Sequence, residues 1–307
     1  MVLPLLLAAT KVSFPGLGIK DLPIDRVAFT IGSFPIYWYS ICIITAFIAC
    51  VGMAMLQAKK HSMTSEDVID YAIVCIPSAM IGARLYYVAF KWSDFSSDWK
   101  SIFDVRNGGL AVLGGVLFAL IAGVIMTKIK KQNLAVVLDF MIVYIPLGQA
   151  IGRWGNFFNQ EAFGTNTNLP WGMISPETSS YLRMQLPALD ANAPVHPTFL
   201  YESIATLLIF FILLVVRKRI KLPFATVAMY FILYGTARFF IEGLRTDSLY
   251  IGNTGLRTSQ VLSAVLVVVG FGIIAFSRFV MNKKALAAAK ETNTANEAND
   301  GAEENPL

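Results

Sequence analysis

The chain has 307 residues, of which 56% are hydrophobic and only 15% are charged. With a mean hydropathy of +0.60, most of it cannot be the surface of a soluble domain, and the composition is typical of an integral membrane protein. The formal net charge is +5. No platform of basic and aromatic residues accompanies this charge, so nucleic acid is not an expected partner.

Seven apolar segments predict an all-α integral membrane protein. A helix needs about 20 apolar residues to cross a hydrocarbon core of about 30 Å. Segments of this kind cover residues 36–58, 68–90, 108–127, 134–151, 197–216, 222–244 and 258–277. We therefore expect a bundle of seven transmembrane helices.

The remaining segments predict the parts around this bundle. Residues 1–35 are expected to form an extracytoplasmic arm, and residues 36–279 to form the membrane domain. The longest connection, residues 152–196, contains four prolines and is expected to be a folded extracytoplasmic cap. Residues 280–307 contain almost no large apolar side chain, which predicts a disordered cytoplasmic tail.

Basic clusters at the ends of the spans predict the orientation. They follow the first, third, fifth and seventh spans, at Lys59–Lys60, Lys128–Lys131, Arg217–Lys221, and Arg278 with Lys283–Lys284. Short cytoplasmic connections retain Lys and Arg, whereas translocated connections do not. The N-terminus is therefore expected outside the cell and the C-terminus inside.

Three cysteines, Cys42, Cys50 and Cys75, lie singly inside predicted spans. Spaced in this way they are expected to be small core residues rather than a disulfide frame or a metal site. No cluster of His, Cys and Asp appears at ligand spacing, so neither a metal nor a cofactor is expected.

Four arginines are predicted to lie at one depth, near the outer ends of even-numbered spans. They are Arg84, Arg153, Arg238 and Arg245. A charge at the bilayer centre costs about 2.5–3.5 kcal/mol on insertion scales, so each arginine needs a partner or a function. For Arg84, an ion pair or snorkelling to the interface is an equal alternative to a substrate role, and Arg245 is equally expected to anchor a helix end.

Helical spacing groups further polar residues with these arginines. Tyr234, Arg238, Glu242 and Arg245 are separated by four, four and three residues, and Arg153, Asn156 and Asn159 by three, so each set shares a helix face. On the fifth span, His196 lies at the outer end and Glu202 almost two turns deeper. We expect these faces to point inward, with Glu202 and Glu242 neutralising the arginines.

This chemistry suits the headgroup of an anionic phospholipid. The planar fork of arginine matches phosphate oxygens and stays charged at any working pH, while asparagine and tyrosine side chains hydrogen-bond hydroxyl and ester oxygens. Chemistry alone does not separate a lipid enzyme from a lipid carrier or scramblase, and both remain open at this point.

The stretch "GRWGNFFNQEAFG" at residues 152–164 resembles the signature of the bacterial prolipoprotein diacylglyceryl transferases. Further similar motifs occur in the same order along the chain: "WYS" at 38–40, "GARLYYV" at 82–88, "HPTFLYE" at 196–202 and "YGTARFFIEGLR" at 234–245. The resemblance covers about residues 36–260. It implies a seven-helix membrane bundle with an extracytoplasmic cap.

The resemblance also implies the reaction. The sn-1,2-diacylglyceryl group moves from phosphatidylglycerol to the cysteine thiol of a lipoprotein precursor, which forms a thioether and releases glycerol phosphate. The implied partners are phosphatidylglycerol and prolipoprotein signal peptides with a lipobox cysteine. The implied location is the bacterial cytoplasmic membrane, with the active site facing the outer leaflet, which precursors reach after crossing the membrane.

The predicted site follows from the matched motifs together with the polar faces. We expect a catalytic group formed by Arg153, Arg238, Glu161 and His196. We expect substrate-binding roles for Tyr39, Arg84, Asn156, Asn159, Gly164, Tyr234, Glu242 and Arg245.

One position departs from the family pattern. Family members have His, or in some cases Tyr, as a proton acceptor before the second glycine pair of the third span, where this chain reads "GGLAVLGG" with Leu113. Three interpretations follow: His196, Glu161 or a tyrosine serves as the base; the arginine field alone suffices; or the chain is a non-catalytic or altered paralogue.

Overall fold

A computed structural model describes residues 10–96, 98–104, 108–252 and 254–303, with side chains of the last helix described to residue 287. Two antiparallel hairpins open the described chain, β1 (Thr10–Phe14) with β2 (Ile19–Ile24), and β3 (Val27–Ile31) with β4 (Phe34–Tyr37). The helices that follow are α1 (Trp38–Ala58), α2 (Ser65–Phe90), α3 (Trp92–Phe95), α4 (Val112–Ile129), α5 (Leu134–Met141), α6 (Ile145–Asn159), α7 (Pro176–Gln185), α8 (Thr198–Arg219), α9 (Ala225–Leu244) and α10 (Thr258–Glu303).

The described residues contain seven helical segments long and apolar enough to cross a membrane. They are Trp38–His61, Ser65–Phe90, Val112–Ile129, Leu134–Asn159, Thr198–Arg219, Ala225–Leu244 and Thr258–Ala287. The predicted fold class, an all-α integral membrane protein with seven spans, is confirmed. Each observed segment overlaps the corresponding predicted one.

The fourth span differs from its prediction in a way that matters for the site. It consists of α5, a 3-10 turn at Ile142–Tyr144 and α6, and it continues to Asn159 rather than ending at residue 151. The extra two turns place Arg153, Asn156 and Asn159 on helix α6. Their spacing of three residues therefore does stack them along one face.

The seventh span continues into the segment for which composition predicts disorder. Helix α10 runs to Glu303, and the last four residues lie outside the described chain. Residues 283–290 of this helix are rich in Ala and Lys, which are strong helix formers. The first nine residues of the predicted N-terminal arm also lie outside the described chain.

The chain divides into two compact units. One combines Met1–Ala46 with Ile145–Leu307, and the other is Phe47–Tyr144. The first unit contains the hairpins, α6 to α10 and the start of α1, and the second contains α2 to α5 and the rest of α1.

In the second unit, glycines allow α2 and α4 to approach closely. A Cβ added at Gly114 would lie 2.2 Å from the Tyr86 Cβ and 2.5 Å from the main-chain oxygen of Gly82. A Cβ at Gly82 would lie 2.3 Å from the Cβ of Phe118. Because lipid gives helices little hydrophobic reason to associate, small residues that permit backbone contact supply much of the packing energy.

In the first unit, part of the predicted arm is built into the predicted cap. Ser13 of β1 exchanges main-chain hydrogen bonds with Ile174, at 2.9 and 2.8 Å, and Met173 pairs with Val195. Their neighbours form one buried apolar cluster: Val12, Ile24, Phe157, Ala162, Phe163, Met173, Leu182, Val195 and Phe199. This cluster fixes residues 160–198 against the ends of α6 and α8.

We predict that Gly114→Ala destabilises the protein, because its new methyl group would overlap atoms of α2. The expected cost is about 1–3 kcal/mol, measured as a lower midpoint of thermal unfolding in detergent. Gly123→Ala on the same helix is the matched control, since its Cβ would meet only the Cys75 sulfur at 3.6 Å. Equal midpoints for the two variants would contradict the close-packing role of Gly114.

Candidate functional site

Polar side chains of α6, α8 and α9 form one cluster in the first unit. Its centre is Glu202 of α8, whose side chain is 3% exposed. Arg153 of α6 donates from Nη2 to its Oε1 at 2.6 Å, and Arg238 of α9 donates from Nη1 to its Oε2 at 2.6 Å. The Tyr234 hydroxyl donates to Oε1 at 3.4 Å. One carboxylate thus joins polar faces from three helices.

A second buried carboxylate continues the cluster along α9. Arg238 Nη2 lies 2.7 Å from Glu242 Oε2, one helical turn away, and Arg245 Nε lies 3.9 Å from the same oxygen. Arg245 donates from Nε and Nη2 to both carboxylate oxygens of Asp247, at 2.9 and 2.7 Å. The Arg257 Nη1 donates to the main-chain oxygen of Glu242. The predicted neutralising role of the two glutamates agrees with these contacts.

A series of side-chain hydrogen bonds through two asparagines extends the cluster from Arg153 to the end of α6. Arg153 Nη1 donates to the side-chain oxygen of Asn156 at 3.1 Å, and the Asn156 amide donates to Glu161 Oε1 at 2.7 Å. Asn159 donates to the same oxygen at 3.3 Å. The chain turns sharply here, with positive φ at Gln160 and Ala162, so Glu161 folds back onto the helix face that carries Arg153.

The predicted residue Tyr39 packs on the same helix, α6, at Gly155. A Cβ at Gly155 would lie 2.6 Å from Cδ2 of the Tyr39 ring, so only glycine lets α1 place the ring over α6. Gly155 directly precedes Asn156 and therefore points about 100° away from it around the helix. Tyr39 thus packs on α6 beside the polar face, and its side chain remains exposed.

Gly164 is the last residue of the motif at 152–164, and it packs against the C-terminal end of α9. Its N–H donates to the main-chain oxygen of His196 at 2.8 Å, and the Thr165 N–H donates to the oxygen of Leu244 at 3.0 Å. A Cβ at Gly164 would lie 2.7 Å from the oxygen of Leu244 and 2.9 Å from the Cβ of His196. Its role in the structure is close backbone packing, which fixes the cap on the C-terminal end of α9.

The His196 ring belongs to a small hydrogen-bonded group in the cap. Its Nδ1 lies 3.0 Å from the Tyr201 hydroxyl, which also accepts from Trp171 Nε1 at 2.8 Å. Burial lowers the pKa of His196 from its ordinary value of 6.5, because desolvation disfavours the charged imidazolium. The ring is therefore neutral at pH 7 and keeps one basic nitrogen.

Arg84 lies in the other unit and has partners that the sequence analysis did not anticipate. Its guanidinium donates to five main-chain oxygens, those of Ser101, Ile102, Asp104, Gly108 and Gly109, at 2.7–2.9 Å. It also lies 5.1 Å from the Phe95 ring centroid. These bonds use the whole donor set of an arginine, so the geometry favours a role in ordering this loop. Among the described residues, these main-chain contacts take the place of the ion pair or the snorkelling expected as alternatives to a phosphate contact.

Leu113 lies in the same unit as Arg84, near the start of α4, and its side chain is exposed. Leucine has no titratable group, so the position cannot accept a proton. A base for the thiol would therefore have to come from another residue.

Three residues near the cluster were missed by the sequence analysis. Tyr230 stacks on Tyr234 with ring centroids 5.4 Å apart, and its hydroxyl donates to the side-chain oxygen of Gln149 at 3.2 Å. Asp247 is the carboxylate partner of Arg245. Periodicity contains the signal for the first two, because Gln149 and Tyr230 lie one turn before Arg153 and Tyr234 on the same faces.

Comparison with known proteins gives consistent matches. Residues 26–276 match the family described as "Prolipoprotein diacylglyceryl transferase". Relatives named "Phosphatidylglycerol–prolipoprotein diacylglyceryl transferase" include one from Clostridioides difficile, 45% identical over 80% of this chain and 92% of its own. One from Finegoldia magna is 44% identical over 80% and 93% of the two chains. One from Streptococcus uberis is 40% identical over 83% and 96%.

We predict that Arg84→Lys loosens the loop while preserving the charge. A lysine has a single donor nitrogen and cannot reach five carbonyl groups, so amide hydrogen exchange in residues 98–104 should rise by at least about tenfold. Arg219→Lys, at an exposed helix end, is the control. Unchanged exchange together with weaker phospholipid binding would restore a direct substrate role to Arg84.

Proposed function

Because this chain belongs to the prolipoprotein diacylglyceryl transferase family, we propose that it transfers the sn-1,2-diacylglyceryl group of phosphatidylglycerol to the cysteine thiol of lipoprotein precursors. The thiol sulfur forms a bond to the sn-3 carbon, the bond between that carbon and the phosphate oxygen breaks, and glycerol phosphate leaves. The thiol proton passes to a base. The observation that carries this proposal is the pair Arg153 and Arg238, held at a single buried carboxylate among membrane helices.

Arg153 and Arg238 are assigned to the phosphate. Each guanidinium carries five N–H donors, more than its contacts with carboxylates and amides use. Donors therefore remain for phosphate oxygens, and preorganised donors aimed at developing negative charge stabilise a leaving group strongly. Glu242 and Arg245 extend this charged face and keep Arg238 in place.

The residues around the arginines are assigned to the rest of the lipid headgroup. Asn156 and Asn159 lie on the Arg153 face of α6, and Tyr39 packs on Gly155 of the same helix. All three are suited to hydrogen-bond glycerol hydroxyl and ester oxygens. Tyr234 donates to Glu202 Oε1, the oxygen that also accepts from Arg153. Gly164 keeps the cap close to this face, and Glu161 holds the two asparagines.

The orientation and location belong to the same proposal. The basic clusters after alternate spans favour a cytoplasmic C-terminus, which directs residues 160–196 and the arginine cluster to the outer side of a bacterial cytoplasmic membrane. Precursors with a lipobox cysteine reach that side after translocation. The nucleophile then comes from the substrate, so Cys42, Cys50 and Cys75 need no catalytic role.

Proton transfer is assigned to His196, with Glu161 as the other candidate. Few thiols are ionised at neutral pH, and Leu113 offers no acceptor. His196 is neutral at pH 7 because burial lowers its pKa, and its main chain is hydrogen-bonded to Gly164, in the motif at residues 152–164.

The two alternative functions, a lipid carrier and a non-catalytic paralogue, are not supported by the names of the relatives.

We predict that the purified protein, given phosphatidylglycerol and a peptide with a lipobox cysteine, adds a diacylglyceryl mass to the peptide. Arg153→Ala should reduce the rate by at least about 100-fold, because it removes charge and donors from the phosphate site. Arg183→Ala, an arginine of α7 that contacts Asn192, should keep the native rate. Mass spectrometry of the peptide measures both, and full activity of Arg153→Ala would disprove the phosphate assignment.

We predict a distinctive pH profile if His196 accepts the thiol proton. Its pKa lies below the ordinary 6.5, so the neutral, basic form persists to lower pH and the rate falls only below that value. His196→Asn should lose about 10²–10⁴-fold at pH 7 and lose this acid limb, whereas His61→Asn should do neither.

The double variant Leu113→His, His196→Asn tests whether a histidine at position 113 can replace His196 as the base. Recovery of activity there would show that a histidine base is what the single variant lacks. A His196→Asn rate equal to native at every pH would mean that His196 only orders the cap.

A further inference from the structure

We propose that Glu202 is the resident counter-ion of the phosphate site, a positioning residue that fixes the two arginines and limits how tightly the product is held. The inference rests on the proposed function, because it concerns the same site. It assigns Glu202 a part in product release, beyond simple neutralisation of charge.

The geometry singles out Glu202 among the acidic residues of the cluster. Each of its carboxylate oxygens is bonded to a different arginine at 2.6 Å, Arg153 on α6 and Arg238 on α9. The side chain is 3% exposed. Two guanidinium groups drawn together in a low-dielectric site would repel each other without this carboxylate between them. Glu202 therefore sets the spacing of the two groups that are assigned to the phosphate.

The charge balance shows why this carboxylate affects substrate and product differently. Arg153 and Arg238 are balanced by Glu202 and Glu242, so these four side chains carry no net formal charge. Phosphatidylglycerol brings a phosphodiester with a single negative charge. After the bond breaks, the phosphomonoester carries about −1.5 to −2 at pH 7. The two fixed carboxylates oppose this added charge, which favours release of the product.

The test is the affinity for glycerol phosphate itself, measured by titration calorimetry on the full-length protein in detergent. Glu202→Gln keeps the size of the side chain and removes its charge, so the dissociation constant should fall by at least about tenfold. Glu202→Asp keeps the charge that opposes the product, so it should not tighten glycerol phosphate binding even though its shorter side chain disturbs the spacing of the arginines. Glu177→Gln, a half-exposed glutamate paired with Arg26, is the matched control and should not change affinity.

Turnover gives a second readout that a purely structural role would not produce. Slow product release predicts that Glu202→Gln makes about one equivalent of lipidated peptide per enzyme quickly and then continues at a much lower rate. A residue that only supports folding would weaken lipid and product binding together and lower the thermal midpoint. If Glu202→Gln does not fold, Glu242→Gln removes charge from the same four side chains and should tighten product binding in the same direction.

The outcomes separate this inference from the proposed function. Unchanged or weaker glycerol phosphate binding by a folded Glu202→Gln or Glu242→Gln protein overturns the counter-ion role, whatever the activity. A native protein that forms no thioether product overturns the transferase proposal, while the calorimetric comparison still tests the counter-ion role by itself.

Discussion

The polar interior of this protein depends on one carboxylate shared by two arginines. Charged groups among membrane helices are tolerated only when they are paired, and Glu202 pairs with Arg153 and Arg238 at once. Because these three residues lie on α8, α6 and α9, the pairing also determines how those helices face one another. Removing one partner would leave a buried charge without compensation, which is strongly destabilising. The site and the helix packing of this unit are thus parts of the same electrostatic arrangement.

The cap gives this arrangement a fixed boundary. Gly164 and Thr165 are hydrogen-bonded to the His196 segment and to the end of α9, and the apolar cluster around Phe157, Phe163 and Phe199 holds the turn after α6. Glu161 is therefore part of a short, well-packed turn rather than of a free loop. That position lets it bind Asn156 and Asn159 and extends the polar face beyond the end of the helix.

Arginines of similar appearance in the sequence meet different partners in the structure. Arg153 and Arg238 pair with carboxylates and keep donors for a ligand, whereas Arg84 is bonded to five main-chain oxygens. Both arrangements compensate the charge of a guanidinium group. Only the first leaves N–H donors unused, because Arg84 donates all five of its own to main-chain oxygens.

The sequence by itself determined the seven spans, the all-α class and the polar faces of α6 and α9, because hydropathy and helical period are local properties of the chain. It also indicated that Glu202 and Glu242 compensate arginines. Only the tertiary structure decided that Glu202 bridges α6 and α9, that Tyr39 lies over Gly155, and that Arg84 bonds to five main-chain oxygens. Those contacts depend on how each helix is rotated about its axis and on how far α6 continues past residue 151. Both are set by packing between segments distant in the chain, which no local pattern records.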